Sequence, residues 1–276
     1  MAINNLLDFI TELNTVKRDS NYLYYFRGHS DISFKLKPSI YRNQKLIRNE
    51  DWIFKEAMLR TPHEFYNDNT TLEKLVRIQH YGIPTRLLDI TSNPLVALYF
   101  ACNEFTNKHG KVIVFKIKKD EIKFYDSDTV SILSNLSKRP YAFRIDNISQ
   151  EDIAEFNEES EIAYLLHEIR EEKSYFLPII NPRDLERVVA VKVKLNNSRI
   201  TRQDGAFLIF GIAGNKRKSA SVPDNWIEET HSRINLQIFA DRKRFILKEL
   251  DNLGINQASL FPELQSLGDY LKRHYH

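Results

Sequence analysis

Residues 79–102, QHYGIPTRLLDITSNPLVALYFAC, decide the reading of this 276-residue chain. Gln79, His80 and Tyr81 are polar and aromatic, and Gly82 and Pro84 punctuate a turn. Residues 85–90 (TRLLDI) have the length and apolar weight of a short buried strand. Thr91–Ser92–Asn93–Pro94 then opens a helix. Ser92 or Asn93 can cap it, and Pro94 suits the first turn, where its missing N–H costs no bond. Leu95, Leu98 and Tyr99 recur at i, i+3 and i+4, a core-facing stripe. The polar side chains of Thr85, Arg86, Asp89, Thr91 and Ser92 therefore gather around one strand and one helix N-terminus, whose free N–H groups attract anions. A simpler reading of the same stretch makes Arg86 and Asp89 an internal ion pair.

Working outward, residues 22–27 form an aromatic strand ended by Gly28, and residues 110–118 (GKVIVFKIK) alternate as a half-buried strand. Helices are expected over 3–13, 49–60 and 71–81. The acidic run 120–175 reads as a helical insertion carrying a charged surface helix or helix pair. A short strand is expected at 175–180, a buried one at 188–193 and a closing one at 206–210. Residues 213–222 form a basic loop, a candidate flap. A long helix is expected over 234–253, ended by Gly254, and a last one over 260–275. The fold class is α+β: a mixed, split sheet decorated with helices, over residues 1–228, with a C-terminal helical segment, 229–276, packed on it.

Composition narrows the function. The chain is 42% hydrophobic, enough for a substantial core. Its 40 basic and 37 acidic residues leave a net charge of +3, too balanced for a wholesale binder of duplex DNA. Local basic clusters such as Lys216–Arg217–Lys218 leave room for RNA or acidic partners. The single cysteine, Cys102, excludes internal disulfides and suits a reducing cytoplasm; its apolar surroundings point to packing. No apolar run approaches the roughly 18 residues of a membrane span, and the N-terminus reads as an amphipathic helix, not a signal peptide. There is no zinc-ligand spacing, Walker A loop or GxGxxG fingerprint.

Two further stretches complete a pattern: Tyr24–Tyr25–Phe26–Arg27–Gly28–His29–Ser30, and Arg202–Gln203–Asp204–Gly205–Ala206–Phe207–Leu208. Together with the central block they resemble the FRG-domain family, named for its Phe-Arg-Gly motif and marked by an hYGxPTRLLDxTxNPxxALYFA block and a closing QxGxFL strand. The resemblance runs from about Tyr22 to Phe210, and Leu260–Phe261–Pro262–Glu263–Leu264 looks like the family's end. The motif order further resembles that of ADP-ribosyltransferases: an early-strand Arg, a polar strand leading to a helix, and a late polar residue before a closing strand.

That second resemblance implies an NAD-dependent ADP-ribosyltransferase effector, a bacterial toxin or antiviral defence protein of the toxin–antitoxin kind. Its acceptor would be RNA or a protein, with an antitoxin as a possible partner. Cleaving NAD between nicotinamide and ribose passes through an oxocarbenium-like state. Arg27 would clamp phosphate or a ribose hydroxyl with its planar fork, and Gly28 would let the backbone approach. Thr91 and Ser92 would hold the ribose, with Thr85 and Arg86 beside them, and Tyr81, Tyr99 or Phe100 would stack on nicotinamide. The position that carries Glu in the commoner transferases carries Gln203 here, so Asp89 or Asp204 would have to supply negative charge. A structural alternative pairs Arg27 with Asp89; His29 is expected at the surface and His80 as a hydrogen-bonded structural histidine. An NAD glycohydrolase, or a non-catalytic nucleotide- or RNA-binding domain, would use the same residues.

Overall fold

The structure, a computed structural model, describes residues 3–228 and 236–263. The chain is α+β. Its strands are β1 (Tyr22–His29), β2 (Leu87–Thr91), β3 (Gly110–Lys118), β4 (Lys123–Phe124), β5 (Val188–Lys192), β6 (Gly205–Phe210), β7 (Ile212–Ala213), β8 (Asn215–Ser219) and β9 (Gln237–Ile238). Seven of them form one mixed sheet in the order β4–β5–β6–β2–β1–β3–β9, with β7 and β8 paired apart. Among the described strand pairs only β4 and β5 run parallel. β1 pairs with β3 along its whole length, and β2 with β6 from Leu87↔Ile209 to Thr91↔Gly205. Between them, β1 and β2 share a single register pair, Phe26↔Thr91. The sheet is split along this seam.

The α-helices among the described residues are α1 (Leu6–Leu13), α2 (Gln44–Arg48), α3 (Glu50–Arg60), α4 (Thr71–His80), α5 (Pro94–Cys102), α6 (Asp128–Asn135), α7 (Ile153–Glu158), α8 (Ser160–Arg170), α9 (Pro182–Leu185), α10 (Ser198–Arg202), α11 (Lys243–Asn252) and α12 (Gln257–Leu260). Alternation along the strands sends side chains to two faces. On one face Tyr25, Ile90, Ile113, Phe115, Leu208 and Phe210 form a core that runs across the seam. On the other face the core is divided. Phe26, Val112 and Val114 pack with α1, α5 and α11, whereas Leu87, Val189 and Phe207 pack with α3, α4, α6, α7 and α8.

The central block folds as its residues dictate. Asn93 caps α5, its Oδ1 accepting from Leu95 N at 3.0 Å, and Pro94 takes the first position. Val96, Ala97, Leu98, Tyr99, Ala101 and Cys102 are all buried, with Leu95 and Phe100 half-buried, so α5 is a core helix. It lies close on β1: a Cβ at Gly28 would overlap the Ala97 carbonyl oxygen and the Ala101 amide nitrogen. Gly28→Ala is therefore expected to destabilise the fold by about 1–3 kcal/mol or more, read as a lowered denaturant midpoint.

Several expectations need correcting. β3 is buried on both faces through Val112–Phe115, as an interior strand must be. No strand forms over 175–180. The acidic segment gives two helices, but their apolar faces (Phe156, Ile162, Leu165, Ile169) belong to the main core. The basic stretch 213–222 contains β8, with Lys216 fully buried. The helix expected over 234–253 begins only at Lys243; Gln237–Ile238 adds a strand to the sheet edge instead. In the last segment α12 ends at Leu260, residues 261–263 are not helical, and residues 264–275 lie outside the described residues. No described helix is long and apolar enough to cross a membrane.

Candidate functional site

The divided core leaves a cavity of about 260 Å³ beside the seam. β1 contributes Phe26–His29, with Ser30 just after it; β2 contributes Asp89–Thr91, and α5 contributes Val96, Ala97 and Phe100. Gln79 and His80 come from the end of α4, Arg199, Ile200 and Gln203 from α10 and its cap, and Arg42 from the 3-10 turn Ser39–Arg42 before α2. Three arginines face it against two acidic residues, Asp89 and Glu104. The balance favours an anion, and the apolar lining favours a ring or sugar face.

Arg27 sits at the seam. Its Nη1 donates to the Asp89 carbonyl oxygen at 2.6 Å, and its Nε donates to His29 Nε2 at 3.2 Å. The Asp89 carboxylate lies 4.0 Å from Nη1 and is largely exposed, so the expected pair exists only at its outer limit. Burial lowers the Arg27 pKa to about 10, with Asp89 opposing and Arg42 reinforcing the shift; the side chain stays cationic at neutral pH. His29 is 2% exposed, contrary to the surface position expected for it. Burial pushes its pKa down to about 3, helped by Arg27, Lys111 and Arg42, with a backbone hydrogen bond at Phe34 opposing. A neutral imidazole is the form that can accept from Arg27 Nε.

Thr91 and Gln203 meet across the other wall. Thr91 Oγ1 donates to the Gln203 carbonyl oxygen at 2.6 Å and accepts from Asn93 N at 3.0 Å. Gln203 Nε2 donates to the Leu260 carbonyl oxygen at 3.0 Å. Asp204, in the left-handed region at φ 47°, turns its side chain to Asn93 Nδ2 at 3.2 Å. Arg199 donates to the His80 carbonyl oxygen at 3.1 Å.

Of the residues singled out from sequence for the site, Arg27, Gly28, Asp89, Thr91, Phe100 and Gln203 line the cavity. Six do not, among them Asp204, whose carboxylate is turned to Asn93. Arg86 is wholly buried and holds Glu50 through Nε (3.0 Å) and Nη2 (2.5 Å), while Nη1 donates to the Phe210 carbonyl oxygen at 2.9 Å. The expected Arg86–Asp89 pair is thus replaced by Arg86–Glu50. Thr85 is buried and spends its hydroxyl on Gln79 Oε1 and Leu87 N. Tyr81 is exposed and donates to Glu64 Oε2 at 2.7 Å. Tyr99 is buried edge-on to Phe100. Ser92 is exposed, its N–H and hydroxyl both directed to the Asp204 carbonyl oxygen. Gly28 lines the cavity, but the contact that requires glycine there is with α5.

The segment that carries β1, the turn, β2 and α5 is one recognisable unit. Residues 22–110 match the family model of the FRG domain. No curated protein and no solved structure gives a significant match. The FRG match covers Arg27, His29, Arg42, His80, Asp89 and Thr91, so one continuous stretch supplies most of the cavity's polar groups. Arg199 and Gln203 come from beyond it. Two of the missed residues had a signal within reach of that FRG stretch or its continuation. His29 follows Arg27 by two positions and shares its side of the strand, and Arg199 precedes Gln203 by one helical turn. Arg42 had none.

Proposed function

We propose that the chain is an NAD-dependent ADP-ribosyltransferase effector that works in the cavity at the seam, on an RNA or protein acceptor. The observation that carries this reading is the convergence there of a fixed guanidinium (Arg27), an exposed carboxylate (Asp89) and an amide (Gln203), among two further arginines and an apolar wall. Arg27, Arg42 and Arg199 suit a diphosphate. The volume of about 260 Å³ suits one ribose with its ring, not a whole dinucleotide, so the adenosine half would lie outward.

In this reading the bond between ribose C1′ and the nicotinamide nitrogen breaks, and its electron pair neutralises the pyridinium. An acceptor nucleophile bonds to C1′ and its proton passes to the Asp89 carboxylate. Asp89 also stabilises positive charge on the sugar, the task given to Glu in the commoner transferases, and Gln203 orients a ribose hydroxyl. A binding-only module is the second reading, favoured by one observation: the Gln203 amide is already donated to Leu260.

Incubation with labelled NAD, with and without RNA or cell lysate, separates the readings. Label on a macromolecule supports transfer, nicotinamide release alone supports hydrolysis, and neither supports binding only. Asp89→Asn is expected to lower single-turnover nicotinamide release about 10²-fold, with calorimetric NAD affinity little changed. Unchanged release would remove Asp89 from the chemistry.

A further inference from the structure

The end of α12 and the three described residues after it touch four residues of the cavity lining. The Leu260 carbonyl oxygen accepts from Gln203 Nε2 at 3.0 Å. The Phe261 ring lies under the Arg199 guanidinium at 4.5 Å and meets the Phe100 ring edge-on, centroids 5.9 Å apart. Glu263 Oε1 stands 3.2 Å from His80 Nε2. These are the groups a nucleotide would use: an amide donor for a hydroxyl, a cationic face for a ring and a basic corner for a phosphate.

We propose that Phe261–Glu263, anchored at the buried Leu260, is a displaceable strap which occupies the ligand's contacts and is released when a diphosphate ligand enters. This deepens the NAD reading and rests on it. If Gln203 is to hold a ribose hydroxyl with its Nε2, that nitrogen must first leave the Leu260 carbonyl. A carboxylate seated at His80 takes the place of an anion. Each contact is of a releasable kind: one neutral amide bond, ring contacts, and a carboxylate facing a histidine. Burial, then Arg199, lowers the His80 pKa, with Glu263 opposing, so this partner is held toward its neutral form.

The anchor and the moving part are separable. Leu260 is 1% exposed in the core with Ile246 and Leu250, and α12 starts from a capping box between Asn256 and Ser259. Beyond it Phe261 leaves helical geometry (φ −125°, ψ 88°), and Pro262 has no N–H to donate. The hinge is Phe261, and Glu263 swings with it.

The test is calorimetric titration of the full chain with NAD and, separately, with inorganic pyrophosphate, on wild type, Glu263→Gln and the Phe261→Ala/Glu263→Gln double variant. Both variants should bind both ligands more tightly, the double variant by on the order of five- to tenfold, because a closed strap lowers the competent fraction. Hydrogen exchange at Phe261 and Glu263 of the wild type should quicken on saturation. Equal or weaker binding by the near-isosteric Glu263→Gln and by the double variant, or slower exchange on saturation, would overturn the strap and make the segment a wall of the site. Failure of the variants to bind either ligand overturns it as well. Pyrophosphate binding tightened by the variants, with no nicotinamide release from NAD, keeps the strap and removes the NAD reading.

Discussion

Arg27→Lys is expected to lower kcat/KM for nicotinamide release from NAD by on the order of 10³, nearly as much as Arg27→Ala. The guanidinium is gripped at two points, Nη1 by the Asp89 carbonyl and Nε by His29, and still has N–H groups to offer. One ammonium nitrogen cannot satisfy both grips and present a fork to a diphosphate. The site also penalises charge: burial brings even this arginine down to about 10. A lysine starts about two units below arginine, so the same burial carries it toward the range where it gives up its proton. The residual activity of Arg27→Lys should therefore fall further on the alkaline side, where wild type holds steady. Calorimetric NAD affinity and single-turnover release, on proteins of matched melting temperature, read both effects. Wild-type affinity in Arg27→Lys would show that no bidentate contact is made.

Glu50→Gln should be the most damaging conservative change for the fold, at about 3–5 kcal/mol. Glu50 opens α3, is 3% exposed, and faces Arg86 and, at 3.1 Å, Lys216 Nζ, both of which are 0% exposed. Lys216 also donates to the Arg139 and Ser137 carbonyl oxygens, so the cluster ties α3, the residue before β2 and β8 to the segment after α6. Burial alone would raise the Glu50 pKa; Arg86 and then Lys216 outweigh it and hold the carboxyl below its ordinary value. A depressed folded pKa means that Glu50 contributes stability at all pH above its unfolded value of about 4.5. That contribution is lost as pH falls through the folded value, when the unfolded chain binds the extra proton. Glu50→Gln should thus reduce the denaturant midpoint at pH 7 and flatten its fall below pH 4.5. Replacing all three residues together by apolar side chains should recover much of the loss, since no uncompensated charge is left. A Glu50→Gln midpoint equal to wild type would mean the two cations are not buried as described.

These two arginines mark how far the sequence could be read. The strand–turn–helix of residues 79–102 carried its own punctuation in Gly82, Asn93 and Pro94, so β2 and α5 were legible to within a residue or two. Arg27 at a strand end before glycine and Gln203 before a closing strand were legible as candidates, and the cavity brings them together. Arg86 was not, because its partner lies 36 positions earlier at the start of another helix, and nothing local distinguishes a buried guanidinium from one at a ligand. Tyr81 and Tyr99 failed for a related reason: a helix end and a helix interior each offer several directions, and only packing chooses. His29 beside Gly28 looked like a surface turn, yet β1 continues through it to pair with Lys111. The edge strand Gln237–Ile238 is too short to announce itself, and its place is set by Gly110 and Lys111 across the ladder.

The seam has a consequence for how this pocket can be altered. β1 takes its alignment from β3, over eight residue pairs, and β2 takes its alignment from β6, over five. Neither needs the other, and Phe26↔Thr91 is their one rung. The two half-sheets are therefore like two rulers, each graduated by its own neighbour and pinned together at a single mark. Changing a lining side chain between them cannot slip either scale. Such a pocket is open to retailoring: its chemistry can be rewritten at Arg27 or Asp89 while the positions of their backbones stay indexed from outside the site.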